Sequence, residues 1–89
     1  MTVIESPCPD MILYPNPTSG IVNFVVKFGA YGKYNLSITN FLTQEVYRRE
    51  FIWNGIDLRV DLSNLPNGVY DVTIFNDTYR RTTKLLKIN

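Results

Sequence analysis

Residues 62–72 read Leu-Ser-Asn-Leu-Pro-Asn-Gly-Val-Tyr-Asp-Val, and this stretch decides the fold. Pro66 restricts its own φ, and Asn67 and Gly68 tolerate left-handed backbone, so the segment predicts a tight corner. Apolar and polar residues alternate after the corner, which is the period of a strand with one buried face. In immunoglobulin-like sandwiches, a tyrosine at this place bonds through its hydroxyl to upstream backbone. We therefore predict a tyrosine corner at Tyr70, at the start of a strand.

Strand-like alternation continues on both sides of this corner, and turn residues separate the runs. The runs cover residues 11–14, 20–28, 33–41, 44–52, 56–62, 70–75 and 79–88. No stretch has the period of a helix. The pattern predicts an all-β fold, an immunoglobulin-like antiparallel sandwich of about seven strands.

The stretch between the fourth and fifth runs predicts a hairpin. Asn54-Gly55 lies there, and this pair favours a type I′ turn because both of its central residues need positive φ. In the run that follows, the alternation predicts that Ile56 shares a buried face with Leu58 and Val60.

The composition argues against catalysis and cofactor binding. The chain of 89 residues has no histidine, one cysteine and a net charge of +1. Pairs such as Ser-His or Cys-His, an internal disulfide and a cysteine-based metal cage are therefore impossible. The glycines match no phosphate-binding spacing, and Asp57, Asp61 and Asp71 occupy the polar positions of alternating strands. We predict a protein that is not an enzyme and that has no catalytic residue, metal or cofactor.

The charge is unevenly distributed along the chain. Up to Thr78 there are five basic and eight acidic residues, whereas the segment from Tyr79 to Asn89 has four basic residues and no acidic one. One interpretation is an edge strand whose cations discourage pairing with other strands. A docking patch for a partner is the alternative, and the two are compatible. The overall balance does not indicate a nucleic-acid binder, and no apolar run is long enough to span a membrane as a helix.

Trp53 suggests a different function, the binding of sugars. It adjoins the Asn54-Gly55 turn, where an exposed indole would stack on a sugar ring and make the chain an immunoglobulin-like adhesion or carbohydrate-binding module. The other interpretation is that Trp53 packs at the end of the sandwich. A structural spacer domain is a third possibility.

Two segments resemble a known family, the C-terminal sorting domains of the type IX secretion system of Bacteroidota. Residues 13–20, Leu-Tyr-Pro-Asn-Pro-Thr-Ser-Gly, resemble its opening "YPNP" box, and residues 62–72 resemble its "L-x-x-L-P-x-G-x-Y" signature. The resemblance extends over residues 11–89. One departure is the turn Phe41-Leu42-Thr43-Gln44, where the family usually has a glycine. The sorting-motif residues that the resemblance marks are Tyr14, Pro15, Asn16, Pro17, Leu65, Pro66, Gly68 and Tyr70.

The resemblance implies a function for the whole chain. Residues 1–10 would link an upstream cargo domain to a sorting domain over residues 11–89. The outer-membrane translocon would recognise this domain after the cargo reaches the periplasm. A sortase-like peptidase would then remove it, leaving the cargo at the cell surface or in the medium. We expect the last strand to dock on the translocon, and the oligomeric state stays open. The predicted docking residues are Arg80, Arg81, Lys84 and Lys87.

Overall fold

Seven strands form the part of the chain that the computed structural model describes, residues 10–27 and 31–88. They are β1 (Asp10–Tyr14), β2 (Ile21–Lys27), β3 (Gly32–Thr39), β4 (Glu45–Trp53), β5 (Leu58–Asp61), β6 (Gly68–Phe75) and β7 (Arg80–Lys87). No helix occurs within these two ranges. Residues 1–9 of the predicted linker over residues 1–10 lie outside the described residues, and Asp10 is the first residue of β1. Residues 28–30, which include half of the predicted loop, and Asn89 also lie outside them.

The strands form two antiparallel sheets that pack face to face. One has the order β1-β2-β5 and the other the order β4-β3-β6-β7. The prediction of an all-β, immunoglobulin-like sandwich of about seven strands is therefore confirmed. Strands that are consecutive in sequence do not always pair, since β5 pairs with β2 and β6 pairs with β3.

The core lies between the sheets and follows from the alternation of the strands. Every second residue of β2 is buried, and so is every second residue of β6 from Tyr70 onward. The rings of Tyr34 and Phe51 stack with their centroids 5.9 Å apart. Each large apolar side chain contributes about 1.5 to 3 kcal/mol on full burial. The buried apolar residues are Met11, Leu13, Val22, Phe24, Val26, Tyr34, Leu36, Ile38, Phe51, Trp53, Val60, Leu62, Tyr70, Val72, Ile74 and Leu85.

The segment from Asn54 to Ile56 is a crossover between the sheets, so the prediction of a hairpin there is wrong. β4 belongs to the four-stranded sheet and β5 to the three-stranded one. Gly55 has a φ of 91°, but Asn54 does not have positive φ, which excludes a type I′ turn. Instead Asn54 Oδ1 accepts a hydrogen bond from the backbone N–H of Ile56, 3.1 Å away. A bend that carries the chain from one sheet to the other therefore accommodates Asn54 and Gly55 as well as a hairpin turn would.

Two side chains beside this crossover, those of Ile56 and Trp53, test predictions made from the sequence. Ile56 is 71% exposed, so the prediction that it shares the buried face is wrong, because β5 begins only at Leu58. Trp53 is 5% exposed, which confirms that it packs at the end of the sandwich. The indole is therefore not available to stack on a sugar in this structure.

In the turn between β3 and β4, a threonine has the backbone conformation that usually requires a glycine. Asn40 O accepts a hydrogen bond from Thr43 N at 2.9 Å, and Asn40 N donates to Gln44 O at 3.0 Å, which closes a three-residue loop. Loops of this kind place a left-handed residue, preferably glycine, at their third position. Here that residue is Thr43, with a φ of 61°. A β-branched residue is strained in this region.

Replacing Thr43 with glycine is expected to raise the free energy of unfolding by about 1 kcal/mol. A left-handed conformation costs a residue with a side chain about 1 to 2 kcal/mol, and the larger unfolded-state entropy of glycine offsets part of the gain. For a domain of this size, the melting temperature would rise by about 4 to 8 °C, measured by circular dichroism. Thr43→Ala keeps the Cβ atom and serves as the control, with a smaller gain. A melting temperature lower than that of the wild type would contradict the assignment of strain.

Candidate functional site

Both sequence motifs lie at one end of the sandwich, which we call the motif end and define as residues 15–20, 62–68 and 84–88. The topology brings them together. β1 runs toward this end, where Tyr14 pairs with Asn23. At the same end, Ile21 at the start of β2 pairs with the last residue of β5. Gly68, the first residue of β6, pairs with the last residue of β7.

The proline-rich segment crosses from the first sheet to the second and attaches to the edge of β7. Thr18 N donates to Leu86 O at 2.9 Å, and Ile88 N donates to Thr18 O at 2.8 Å, which forms a parallel bridge. Asn16 adds two bonds through its side chain, since Nδ2 donates to Lys84 O at 2.9 Å and Oδ1 accepts from Leu86 N at 3.0 Å. We call residues 15–18 the strap, because they cover the second half of the β7 edge.

Thr18 holds the strap in place, although the sequence analysis did not mark it. Its side chain is buried. Thr18 Oγ1 donates to Ile21 O at 2.8 Å and accepts from Gly20 N at 3.1 Å. A threonine hydroxyl that bonds the backbone two residues on is a recognised turn device. That signal was present in the Thr18-Ser19-Gly20 sequence.

The corner has the geometry that the sequence predicts. The hydroxyl of Tyr70 donates a hydrogen bond to the carbonyl oxygen of Pro66, which confirms the tyrosine corner. Before the corner, Asp61 Oδ1 accepts from Ser63 N at 2.9 Å. Hydrogen bonds from the Ser63 side chain and backbone hold the pKa of Asp61 below its usual value. Leu65 is half-buried and packs against the core.

The strap and the corner contact each other. Leu62 N donates to Gly20 O at 2.8 Å. A Cβ atom added to Gly20 would lie 3.1 Å from Ser63 Cβ, so only glycine allows this close approach without displacement of the neighbour. On the other side, Lys87 Nζ lies 3.5 Å from Asn67 Oδ1. The two motifs and the end of β7 thus form one connected unit.

The four predicted docking cations are not gathered in one place. Arg80 and Arg81 pair with Phe75 and Ile74 at the start of β7, at the end of the sandwich opposite the motif end. Both side chains are exposed, and the Arg80 guanidinium lies 5.2 Å from the centroid of the Phe75 ring.

The other two cations lie near the motif end. Lys84 is exposed, and its Nζ lies 2.6 Å from Asp71 Oδ1. Lys87 is only 2% exposed, so its ammonium lies beneath the corner instead of on the surface. The basic strand is therefore a row of three exposed cations and one buried one.

The β7 edge is open over only half of its length. Each residue of an antiparallel strand directs both backbone groups to one side, and the side alternates from residue to residue. Since Lys84, Leu86 and Ile88 bond to the strap, Arg80 and Thr82 face the same side of β7 before the strap begins. A partner strand could pair there.

Within residues 10–27 and 31–88 there is no pocket and no cluster of three acidic, cysteine or histidine residues that could hold a metal ion. No helix in those ranges is long and apolar enough to cross a membrane. A family profile described as a secretion system C-terminal sorting domain matches residues 12–89, and no curated protein matches the chain.

Proposed function

The chain belongs to the family of secretion system C-terminal sorting domains, the signals for type IX secretion, and on that basis we propose which part of it the export machinery recognises. The family profile covers both sequence motifs, so the resemblance is confirmed. A type IX sorting signal implies export of an attached cargo across the outer membrane. We also propose how the domain is removed and where the cargo is finally located.

The observation that carries the proposal is the convergence of both motifs with the end of β7. The marked residues Asn16 and Tyr70 build this arrangement through hydrogen bonds to backbone groups. Their role in sorting is therefore to hold the motif end in one shape. The chain enters β1 at the opposite end, and the eight residues of β6, which span seven rises, separate the two ends by about 23 Å. A cargo attached upstream would leave the motif end accessible.

We propose that the translocon docks along the outer edge of β7. The open part of this edge, from Arg80 to Thr82, can accept a partner strand by β-augmentation. Arg80, Arg81 and Lys84 flank it and would attract an acidic partner surface. Lys87 contributes differently, because its buried ammonium positions the corner through Asn67.

Removal of the domain and the fate of the cargo extend the same proposal. A sortase-like peptidase would cleave in the part of the linker that precedes β1, whose first residue is Asp10. Because β1 starts opposite the motif end, the linker lies at the end of the sandwich where the β7 edge is open. The cargo would then be released into the medium or attached to the cell surface.

Export of a reporter tests the sorting function. Residues 1–89 are fused to a fluorescent protein with an N-terminal signal peptide, and the fusion is expressed in a Bacteroidota host with and without the translocon. We expect reporter in the medium or on the cell surface only when the translocon is present. Equal amounts outside both strains, or periplasmic retention in both, would contradict the proposed function.

Charge removal on β7 tests the docking edge. In the variant Arg80→Gln/Arg81→Gln/Lys84→Gln, export should fall by about tenfold, which corresponds to a loss of about 1.4 kcal/mol of docking free energy. Three exposed cations outside β7 provide a control with the same charge change. This control variant, Lys33→Gln/Arg49→Gln/Arg59→Gln, should be exported normally. If both variants were exported equally, the β7 docking proposal would be wrong, while the sorting function would stand.

A further inference from the structure

We propose that the turn between β3 and β4 is a second docking element, in which Phe41 and Leu42 insert into an apolar pocket of a protein in the export machinery. This inference rests on the proposed function and adds a contact outside both sequence motifs. We call Phe41 and Leu42 the apolar tip.

The apolar tip is exposed to a degree that the fold does not require. Phe41 is 81% exposed and Leu42 is 60% exposed. Hairpin turns normally consist of Gly, Asn, Asp, Pro and Ser, which satisfy turn geometry without presenting apolar surface to water. Single exposed apolar residues are common, whereas contiguous exposed apolar surface with a polar rim is typical of interaction sites.

The turn that carries the apolar tip is held rigidly by Asn40. Asn40 Oδ1 accepts from Leu42 N at 2.9 Å and from Gln44 N at 3.0 Å, while Nδ2 donates to Gln44 Oε1 at 3.0 Å. The backbone bonds that close the loop add to these. A loop backbone that is already ordered lowers the entropy cost of association, so this turn is preorganised for binding.

The strain at Thr43 supports the same interpretation. A left-handed threonine costs free energy that a glycine would avoid. Backbone strain of this kind persists where the surrounding structure imposes it, and it is concentrated at functional positions. In this turn the strain accompanies an ordered presentation of the apolar tip.

The surroundings of the tip indicate the chemistry of the partner. Arg48 makes two hydrogen bonds to the Glu45 carboxylate, at 2.9 and 3.0 Å, and lowers the pKa of that group. These charges neutralise each other, so residues 39–48 carry no net charge that would attract an anionic lipid surface or a nucleic acid. An uncharged pocket of a folded protein fits best, since buried aromatic and aliphatic anchors dominate such interfaces.

The position of the turn fits a contact made together with the motif end. Thr39, the last residue of β3, pairs with Asp71, three residues after the start of β6. The turn therefore lies at the same end of the sandwich as both motifs. One partner surface could contact the motif end and the apolar tip at once.

A double substitution with a matched control tests the inference. In the reporter fusion, Phe41→Ser/Leu42→Ser should reduce translocon-dependent export by about tenfold, the effect of losing a central apolar anchor. Ile52→Ser/Ile56→Ser is the control, because both isoleucines are 71% exposed and lie outside the turn. It should be exported normally. The conservative variant Phe41→Met/Leu42→Met should restore most of the export. The melting temperatures of all variants are measured on the purified domain.

The outcomes separate this inference from the proposed function. If the wild-type fusion were not exported through the translocon, the sorting function itself would fail. If the wild type were exported and the serine variant matched the isoleucine control, the apolar tip would have no docking role. Co-sedimentation of the purified domain with phosphatidylcholine vesicles, lost in the serine variant, would show a lipid ligand and overturn the protein pocket. Should the serine variant unfold, failure of Phe41→Gln alone to reduce export would overturn the inference.

Discussion

Replacing Trp53 with alanine is expected to lower the free energy of unfolding by about 3 to 5 kcal/mol, as for other large aromatic residues in protein cores. Trp53 is almost fully buried and closes one end of the sandwich, opposite the motif end. Domains of this size have a total stability of about 5 to 15 kcal/mol, so the loss would be a large fraction of it. Urea denaturation followed by circular dichroism gives the value.

The adjacent residue of β4 provides the control for this substitution. Ile52 is largely exposed, so Ile52→Ala should change the stability by no more than about 0.5 kcal/mol. Trp53→Phe keeps an aromatic ring in the core and should fold. Glycan binding by the wild type that Trp53→Phe abolished without loss of stability would favour the carbohydrate-binding function. A loss below about 1 kcal/mol for Trp53→Ala would show that the indole is not part of the core.

Replacing Thr18 with valine is expected to cost about 2 to 4 kcal/mol, although the two side chains have almost the same shape. Valine lacks the hydroxyl that Gly20 N and Ile21 O use, and each buried group left without a partner costs about 1 to 3 kcal/mol. The strap would lose its anchor at the same time. Unfolding in urea is followed by the fluorescence of Trp53, the single tryptophan of the chain.

Thr18→Ser distinguishes the hydroxyl from the methyl group. Serine keeps both hydrogen bonds and removes one buried methyl, for a cost of about 0.8 kcal/mol. The two variants should therefore differ by more than about 1 kcal/mol, with valine the less stable. If serine and valine were equally destabilising, the methyl group and not the hydroxyl would hold the strap.

The strands and the corner were predictable because local chemistry alone determines them. Alternation in β2 and β6 requires one buried face, whatever the partner strands are. At the corner, Pro66, Gly68 and Tyr70 act over five residues, so the hydrogen bond from Tyr70 to Pro66 depends on nothing remote.

The sequence did not reveal the features that depend on a contact with a residue far along the chain. Asn54-Gly55 has the composition of a hairpin, but the choice between a hairpin and a crossover depends on which sheet β5 joins. The contacts of Asn16 with Lys84 and Leu86 span about seventy positions, and no local pattern reveals them. Lys87 is part of a basic segment, and only the packing of the corner shows that it is buried.

The strap also determines how the domain resists tension. It runs parallel to β7, and the upstream chain leaves from the opposite end of the sandwich. If the C-terminal end of β7 is held while the upstream chain is pulled, the two parallel segments are loaded in opposite directions along their length. The four hydrogen bonds between them then bear the load together, in shear, instead of breaking one after another. The arrangement is a mechanical clamp between the strap and the last strand of the domain, and it would resist a pull transmitted from the upstream chain.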